Sequence, residues 1–354
     1  MTRNLVISGE TLTGKTLVAL AAAAKFKERG MTVSYFKPAG EKSYTLSDAS
    51  RAVDEDAVLM KEVLGMDADL GCICPIVRTM SSYDELIRIG HDELLQKILD
   101  CYEKISGASD VVIIEGTAAP WHLLHVGLST PQIAARLGAS VVCLVNFPDI
   151  TAIDEVLLQR DFFRQHGIEE IGIVLNMVPP MLKGAIEGKI GKFLDDNGVH
   201  FCGVIYQHKE LFSPTIRDIL RALDGQMIVG EDNLDILIGE FMVGSMIPEN
   251  ALKWFRRAKN KAVITSGDRA DLCHAAMETD TNLLILTGGL GPDFSTVARA
   301  RELGVSVMMT DKDTYSTGQI VDDLIGSVNP EDHEKIEIVQ RIVGEAINLV
   351  CLGF

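Results

Sequence analysis

Asn4-Leu5-Val6-Ile7-Ser8 runs into Gly9-Glu10-Thr11-Leu12-Thr13-Gly14-Lys15-Thr16, and an alanine-rich segment follows that stops at Gly30. The first run has the apolar character of a short buried strand. The last, Lys15–Arg29, has the composition of a helix. Between them every fixed position of G-x-x-x-x-G-K-[ST] is present. The spacing has a chemical purpose. Two glycines let the backbone curl so that successive N–H groups converge on phosphate oxygens, and Lys15 reaches the outer phosphates. Thr16 offers a hydroxyl to Mg²⁺, and the following helix points its positive end at the ligand. Gly9, Glu10, Thr11, Leu12, Thr13, Gly14, Lys15 and Thr16 are therefore expected to cradle the phosphates of Mg·ATP.

Working outward, apolar strand-like runs recur at Thr32–Lys37, Asp110–Glu115, Ser140–Asn146, Ile171–Asn176 and Phe201–Tyr206. Helical periodicity fills the intervals near residues 83–105, 151–166 and 182–196. Near-continuous Val/Ile/Leu strands separated by helices predict an α/β fold, a parallel sheet covered on both faces. The pattern restarts near Asp224–Gly230. Further strands are expected at 261–265, 282–287 and 305–310, with helices at 269–277, 295–302 and 319–324. Two domains are thus expected, 1–224 and a smaller α/β domain 225–354. A broad-faced closing helix about His333–Val350 is expected to pack on the second domain or another subunit.

The chain has 354 residues, 47% hydrophobic and 23% charged, and a formal net charge of −17. That charge argues against a nucleic-acid partner, which needs a basic stripe. Any site for a polyanion here must instead rely on backbone N–H groups, one or two lysines and a metal ion. The seven cysteines are scattered and form no CxxC pair, so they are expected to be reduced and buried. No secretory segment or membrane-length apolar run is evident, so a cytoplasmic protein without a membrane partner is expected.

A metal-bound phosphate needs carboxylates. The run Val111–Glu115 ends in an acid at the sheet edge where ligands of open α/β sheets bind, which singles out Glu115. The cluster Asp54-Glu55-Asp56 opens a helix-like segment, where acids are also expected for capping alone. Lys37, ending the second strand before Pro38, is either a second cation for a phosphate or carboxylate or a solvated lysine. Asn176, ending another strand, either reads a base edge or caps the next loop. His122 and His125 lie three apart, with no evident third metal ligand. Beyond residue 260, Gly267-Asp268-Arg269 and Thr287-Gly288-Gly289 either hold an anion or form tight turns in which Arg269 pairs with a neighbouring acid.

Taken together, residues 1–220 resemble dethiobiotin synthetase, and more closely the similar N-terminal domain of some bacterial phosphate acetyltransferases. The motifs are Ser8–Thr16, Tyr35-Phe36-Lys37-Pro38, Asp56–Met60, Val112–Gly116 and Val174-Leu175-Asn176. Residues from about 230 to 325 resemble the DRTGG domain through Ile264–Arg269, Leu286–Gly289 and Thr310–Tyr315. The resemblance implies a P-loop NTPase-type fold with ATP and Mg²⁺ as cofactors. It implies that Lys15 and Thr16 hold the phosphates and Mg²⁺, with Asp56 and Glu115 completing the metal site. It further implies that Asn176 recognises adenine and that Lys37 faces the transferring phosphoryl group or the substrate.

There are departures. The synthetase has a glycine-rich stretch after its strand-end glutamate, whereas Gly116-Thr117-Ala118-Ala119-Pro120-Trp121 stands here. Glu41 replaces the small hydroxyl residue suited to a carboxylated substrate. The chain reaches Phe354 without sequence matching the acetyltransferase catalytic domain, so acetyl transfer by it alone is not expected. The resulting expectation is a Mg·ATP-binding, ATP-hydrolysing regulator or metabolic sensor. Its DRTGG domain would take a small-molecule effector, and it would act on a partner enzyme or as a homodimer. The alternative is an ATP-dependent carboxylate or carbamate ligase.

Overall fold

The computed structural model describes residues 2–40, 43–45, 52–78, 83–107, 109–208, 213–324, 328 and 330–354. Glu41, singled out above, lies outside them. The described chain divides into two compact units, Met1–Gln207 together with Pro330–Phe354, and His208–Asn329.

In the first unit, β1 (Arg3–Gly9), α1 (Lys15–Glu28), β2 (Val33–Phe36), α2 (Glu55–Leu64), α3 (Tyr83–Ile89), α4 (His91–Ser106) and β3 (Val111–Glu115) come first. They are followed by α5 (Thr130–Arg136), β4 (Ser140–Asn146), α6 (Ile153–Arg164), β5 (Ile171–Val178) and β6 (Val199–Tyr206). The six strands form one wholly parallel sheet in the order β6-β5-β4-β1-β3-β2. β3 is buried at every position, as expected for a central strand with helices on both faces. The expected single helix over 83–105 is two. It breaks at Gly90, which takes a left-handed φ of 86°.

The second unit holds α7 (Ile216–Ala222), β7 (Gln226–Val229), β8 (Glu240–Val243), α8 (Pro248–Phe255), β9 (Lys261–Ser266) and α9 (Ala270–Met277). Next come β10 (Thr281–Thr287), α10 (Phe294–Leu303), β11 (Ser306–Met309) and α11 (Thr314–Asp323). Its sheet order is β7-β11-β10-β9-β8, parallel except for the antiparallel edge strand β7. Alternate strand residues feed two cores. Val263, Leu284 and Val307 pack with α8, α9 and α10, whereas Ile264, Ile285 and Met308 pack with α7 and α11.

The expected domain limits need correction at both ends. α7 belongs with the second unit, because Ile216 and Ile219 are fully buried in its core. The closing helix α12 (His333–Ala346) returns to the first unit and packs on α1. Val339, Val343 and Ile347 are buried there, and the Lys25 ammonium donates to the carbonyl of Ile347 at 2.7 Å and to that of Gly344. α1 is therefore covered by the sheet on one side and α12 on the other, which explains its run of consecutive buried residues from Leu17 to Ala23. The cysteine expectation is corrected as well. Cys202 on β6 and Cys351 form a disulfide, while Cys72, Cys74, Cys101, Cys143 and Cys273 are free.

Candidate functional site

The loop Gly9–Thr16 joins β1 to α1, in the centre of the sheet. Gly14 caps α1 with a left-handed φ of 80°, and no side chain caps the helix. The N–H groups of a first helical turn have no acceptor within the helix, so this end presents donors and the positive end of the helix dipole. The Lys15 ammonium folds back onto the carbonyls of Gly9 (3.0 Å) and Glu10 (2.8 Å). Thr16 donates its hydroxyl to Glu115 Oε1 at 3.3 Å.

Strand register delivers the other groups. Phe36 pairs with Ile114 and Ile7 with Glu115, so Lys37 and Glu115 emerge side by side next to the loop. The Lys37 ammonium contacts Asp56 Oδ2 at 2.5 Å, Asp54 Oδ1 at 3.1 Å and Glu115 Oε1 at 3.3 Å. Tyr35 donates its hydroxyl to Glu115 Oε2 at 2.8 Å. The structure thus gathers Lys15, Thr16, Lys37, Asp56 and Glu115.

It also brings in two residues that sequence reading did not select. Asp54 caps α2, accepting from the N–H groups of Asp56 and Ala57, and its carboxylate is fully buried against Lys37. Gly40 passes so close that a Cβ there would stand 2.6 Å from Asp54 Cγ. The helix-start signal did mark the acidic cluster, but nothing local says which acid turns inward. Tyr35 reads in sequence like any strand aromatic; only its β2 position opposite β3 aims it at Glu115.

Burial sets the charges of this cluster. Burial alone pushes the Lys37 amine down, but Asp56, Glu115 and Asp54 outweigh it and hold the amine well above its usual value. Burial raises the Glu115 and Asp54 carboxyls, opposed in each case by Lys37. Burial, aided by the Glu115 charge, holds the Tyr35 phenol well above its usual value, so Tyr35 stays a donor.

Asn176, 2% exposed, donates its amide to the carbonyl of Thr13 at 2.9 Å and accepts from the N–H of Met177 at 2.8 Å. It supports the loop in this structure. The Thr117–Trp121 stretch satisfies itself: the Thr117 hydroxyl donates to the Ala119 carbonyl at 2.7 Å, and the Thr117 N–H donates to the Thr130 hydroxyl. A narrow, mostly aliphatic pocket lined by Pro38, Ala39, Thr117, Leu128 and Thr130 opens beside Glu115.

Two pairs go elsewhere. His122 meets Arg78 at 3.2 Å and His125 stacks on Tyr83, so they do not converge. Among the described residues no group of three or more His, Cys, Asp or Glu side chains is arranged to hold a metal by itself. In the second unit, Arg269 pairs with Asp271 at 2.9 Å rather than with Asp268. Gly288 and Gly289 turn the chain after β10 with left-handed φ of 78° and 66°, and their N–H groups donate to the carbonyls of Lys312 and Thr310. Among the described residues no helix is long and apolar enough to cross a membrane.

A glycine-bounded loop between a central parallel strand and its helix, with a lysine, a threonine and a strand-end acid beside it, defines a P-loop domain. The chain belongs to the family described as AAA domain, whose model matches residues 2–215, and a DRTGG domain matches residues 218–324. It is similar to the phosphate acetyltransferase of Nitratidesulfovibrio vulgaris, 26% identical over 378 residues, covering 100% of this chain and 51% of that protein. It is also similar to the ATP-dependent dethiobiotin synthetase of Methanocaldococcus jannaschii, 25% identical over 219 residues, covering 60% of this chain and 97% of that protein. The chain spans about half the length of the phosphate acetyltransferases it matches. Among solved structures, the septum site-determining protein of Pyrococcus horikoshii complexed with Mg-ADP aligns at a TM-score of 0.36 and 18% identity, over 60% of this chain and 84% of that one.

Proposed function

We propose that this chain binds and hydrolyses Mg·ATP at the Gly9–Thr16 loop and serves as a nucleotide-dependent regulator. In this reading its DRTGG domain takes a small-molecule effector and its partner is a metabolic enzyme. One observation carries the nucleotide reading: the uncapped, glycine-started α1 opens beside a hydroxyl, two lysines and three carboxylates at one sheet edge. The donor set fits the group. All its metal-binding atoms are hard oxygens, and Mg²⁺ is commonly held by one or two carboxylates plus phosphates and water rather than by an all-protein cage. Thr16, Glu115 and an acid from α2's start, Asp54 or Asp56, would hold it.

When bound, Mg·ATP supplies the phosphoryl group and neutralises its charge. The chain's own residues position and polarise: loop N–H groups orient the phosphates, Lys15 leaves the loop carbonyls for phosphate oxygens, and Tyr35 fixes the rotamer of Glu115. The regulatory reading draws on this chain's own DRTGG match over residues 218–324 and on its likeness, along its whole length, to about half of a phosphate acetyltransferase.

Calorimetry with Lys15→Ala tests the nucleotide claim. Mg·ATP affinity is expected to vanish, and an unchanged affinity overturns it. A ligase reading is favoured by Lys37 standing beside the pocket at Thr117. Phosphate release stimulated by one small amine or acid, with a ligated product, selects the ligase. Release indifferent to such compounds but altered by a partner protein selects the regulator.

A further inference from the structure

An ammonium has three N–H donors, and Lys37 meets a different carboxylate in each of three contacts: Asp56, Asp54 and Glu115. The side chains of Lys37, Asp54 and Glu115 are 8%, 0% and 2% exposed, so water screens this cluster little. Three acids this close repel unless a positive charge lies among them.

The three are also held unequally. Asp54 is fixed by its cap to the N–H groups of Asp56 and Ala57, and Glu115 by the Tyr35 hydroxyl. Neither tether involves Lys37, whose ammonium rides on a flexible four-carbon stem. One oxygen is shared. Glu115 Oε1 accepts from Thr16 and contacts Lys37, both at 3.3 Å. Thr16 and Glu115 would both help hold a divalent cation, so Lys37 already occupies part of the carboxylate that the cation would use.

We infer that Lys37 is a resident counter-ion: its ammonium neutralises Asp54, Asp56 and Glu115 where Thr16, Glu115 and one of the two aspartates would hold the divalent cation, and cation binding expels it towards the phosphate side. The inference rests on the Mg·ATP reading for its purpose and deepens it by giving an order. Metal entry is the event that frees a second lysine for an anionic group. Before metal arrives, Lys15 alone faces the loop and Lys37 is engaged. The fixed acids keep their positions while the cation changes, so the exchange requires one side chain to move and leaves the sheet edge intact.

The test uses the full chain without nucleotide. Mn²⁺ binding is measured by electron paramagnetic resonance for the wild type, Lys37→Gln and Lys37→Arg. Removing the competing charge is expected to tighten Mn²⁺ binding by at least about ten-fold in Lys37→Gln. Lys37→Arg keeps the charge and is expected to bind as weakly as the wild type. Thermal stability supplies a second readout: Lys37→Gln melts below the wild type and recovers on adding Mn²⁺. Equal or weaker Mn²⁺ binding by Lys37→Gln overturns the inference. Should that variant not fold, acetylation of Lys37 in the wild type, read by mass spectrometry, decides instead. Reactivity that rises with Mn²⁺ supports displacement, and unchanged reactivity refutes it. Because nucleotide is absent throughout, this outcome is independent of the Lys15→Ala experiment.

Discussion

Replacing Asn176 by alanine removes two hydrogen bonds and leaves their partners behind. The Thr13 carbonyl loses its donor at 2.9 Å and the Met177 N–H its acceptor at 2.8 Å. Thr13 and Asn176 are each 2% exposed, so water does not readily replace the bond between them. A buried backbone group left unpaired costs about 1–3 kcal/mol, so the pair costs about 2–6 kcal/mol. Met177 adds to the effect. Its φ of 54° is a left-handed conformation that a methionine holds only when its surroundings enforce it. At about 2–4 °C per kcal/mol for a unit of this size, the melting temperature should fall by at least about 4 °C and by as much as about 24 °C. Differential scanning calorimetry of the full chain measures the fall, and titration calorimetry with ATP and GTP measures the site. The expected result is a stability loss with weaker binding of both nucleotides. A variant of unchanged stability that loses only its preference for ATP over GTP refutes the loop-support argument and makes Asn176 a base reader.

Three further outcomes follow from other contacts. Gly40→Ala forces a Cβ to within 2.6 Å of Asp54 Cγ, and should cost about 1–3 kcal/mol in urea denaturation while weakening Mn²⁺ binding. Lys25→Met removes the ammonium from the Gly344 and Ile347 carbonyls, so hydrogen exchange should speed up over residues 340–354 and hardly change in β1. Asp110 is held below the usual carboxylate value of 3.8 by the N–H and hydroxyl of Thr32. A depressed carboxyl contributes stability above its unfolded value and loses it as pH falls through the lower folded value. Asp110→Asn should therefore flatten the acid limb of a stability profile below about pH 4.

The phosphate loop was legible because its chemistry is local. Gly9, Gly14, Lys15 and Thr16 sit within eight residues, and the strand before and helix after them carry their own periodicities. Lys37 and Glu115 were legible for a related reason, since each ends an apolar run and parallel strands of an open sheet end on one edge. Which acid of Asp54-Glu55-Asp56 turns inward was not, because capping and site formation ask for the same residue types at a helix start. The contact of the Asn176 amide with the Thr13 carbonyl was not legible, because the two residues lie 163 apart in the chain.

The alternating pattern by itself determined two α/β units and the place of the loop, because strand and helix periods are read over a few residues. Tertiary structure alone decided that α12 rejoins α1, that Cys202 meets Cys351, and that Lys37 lies among three carboxylates. Those arrangements depend on packing and charge between segments far apart in the chain, and no short window of residues records which distant surface will bury a given face.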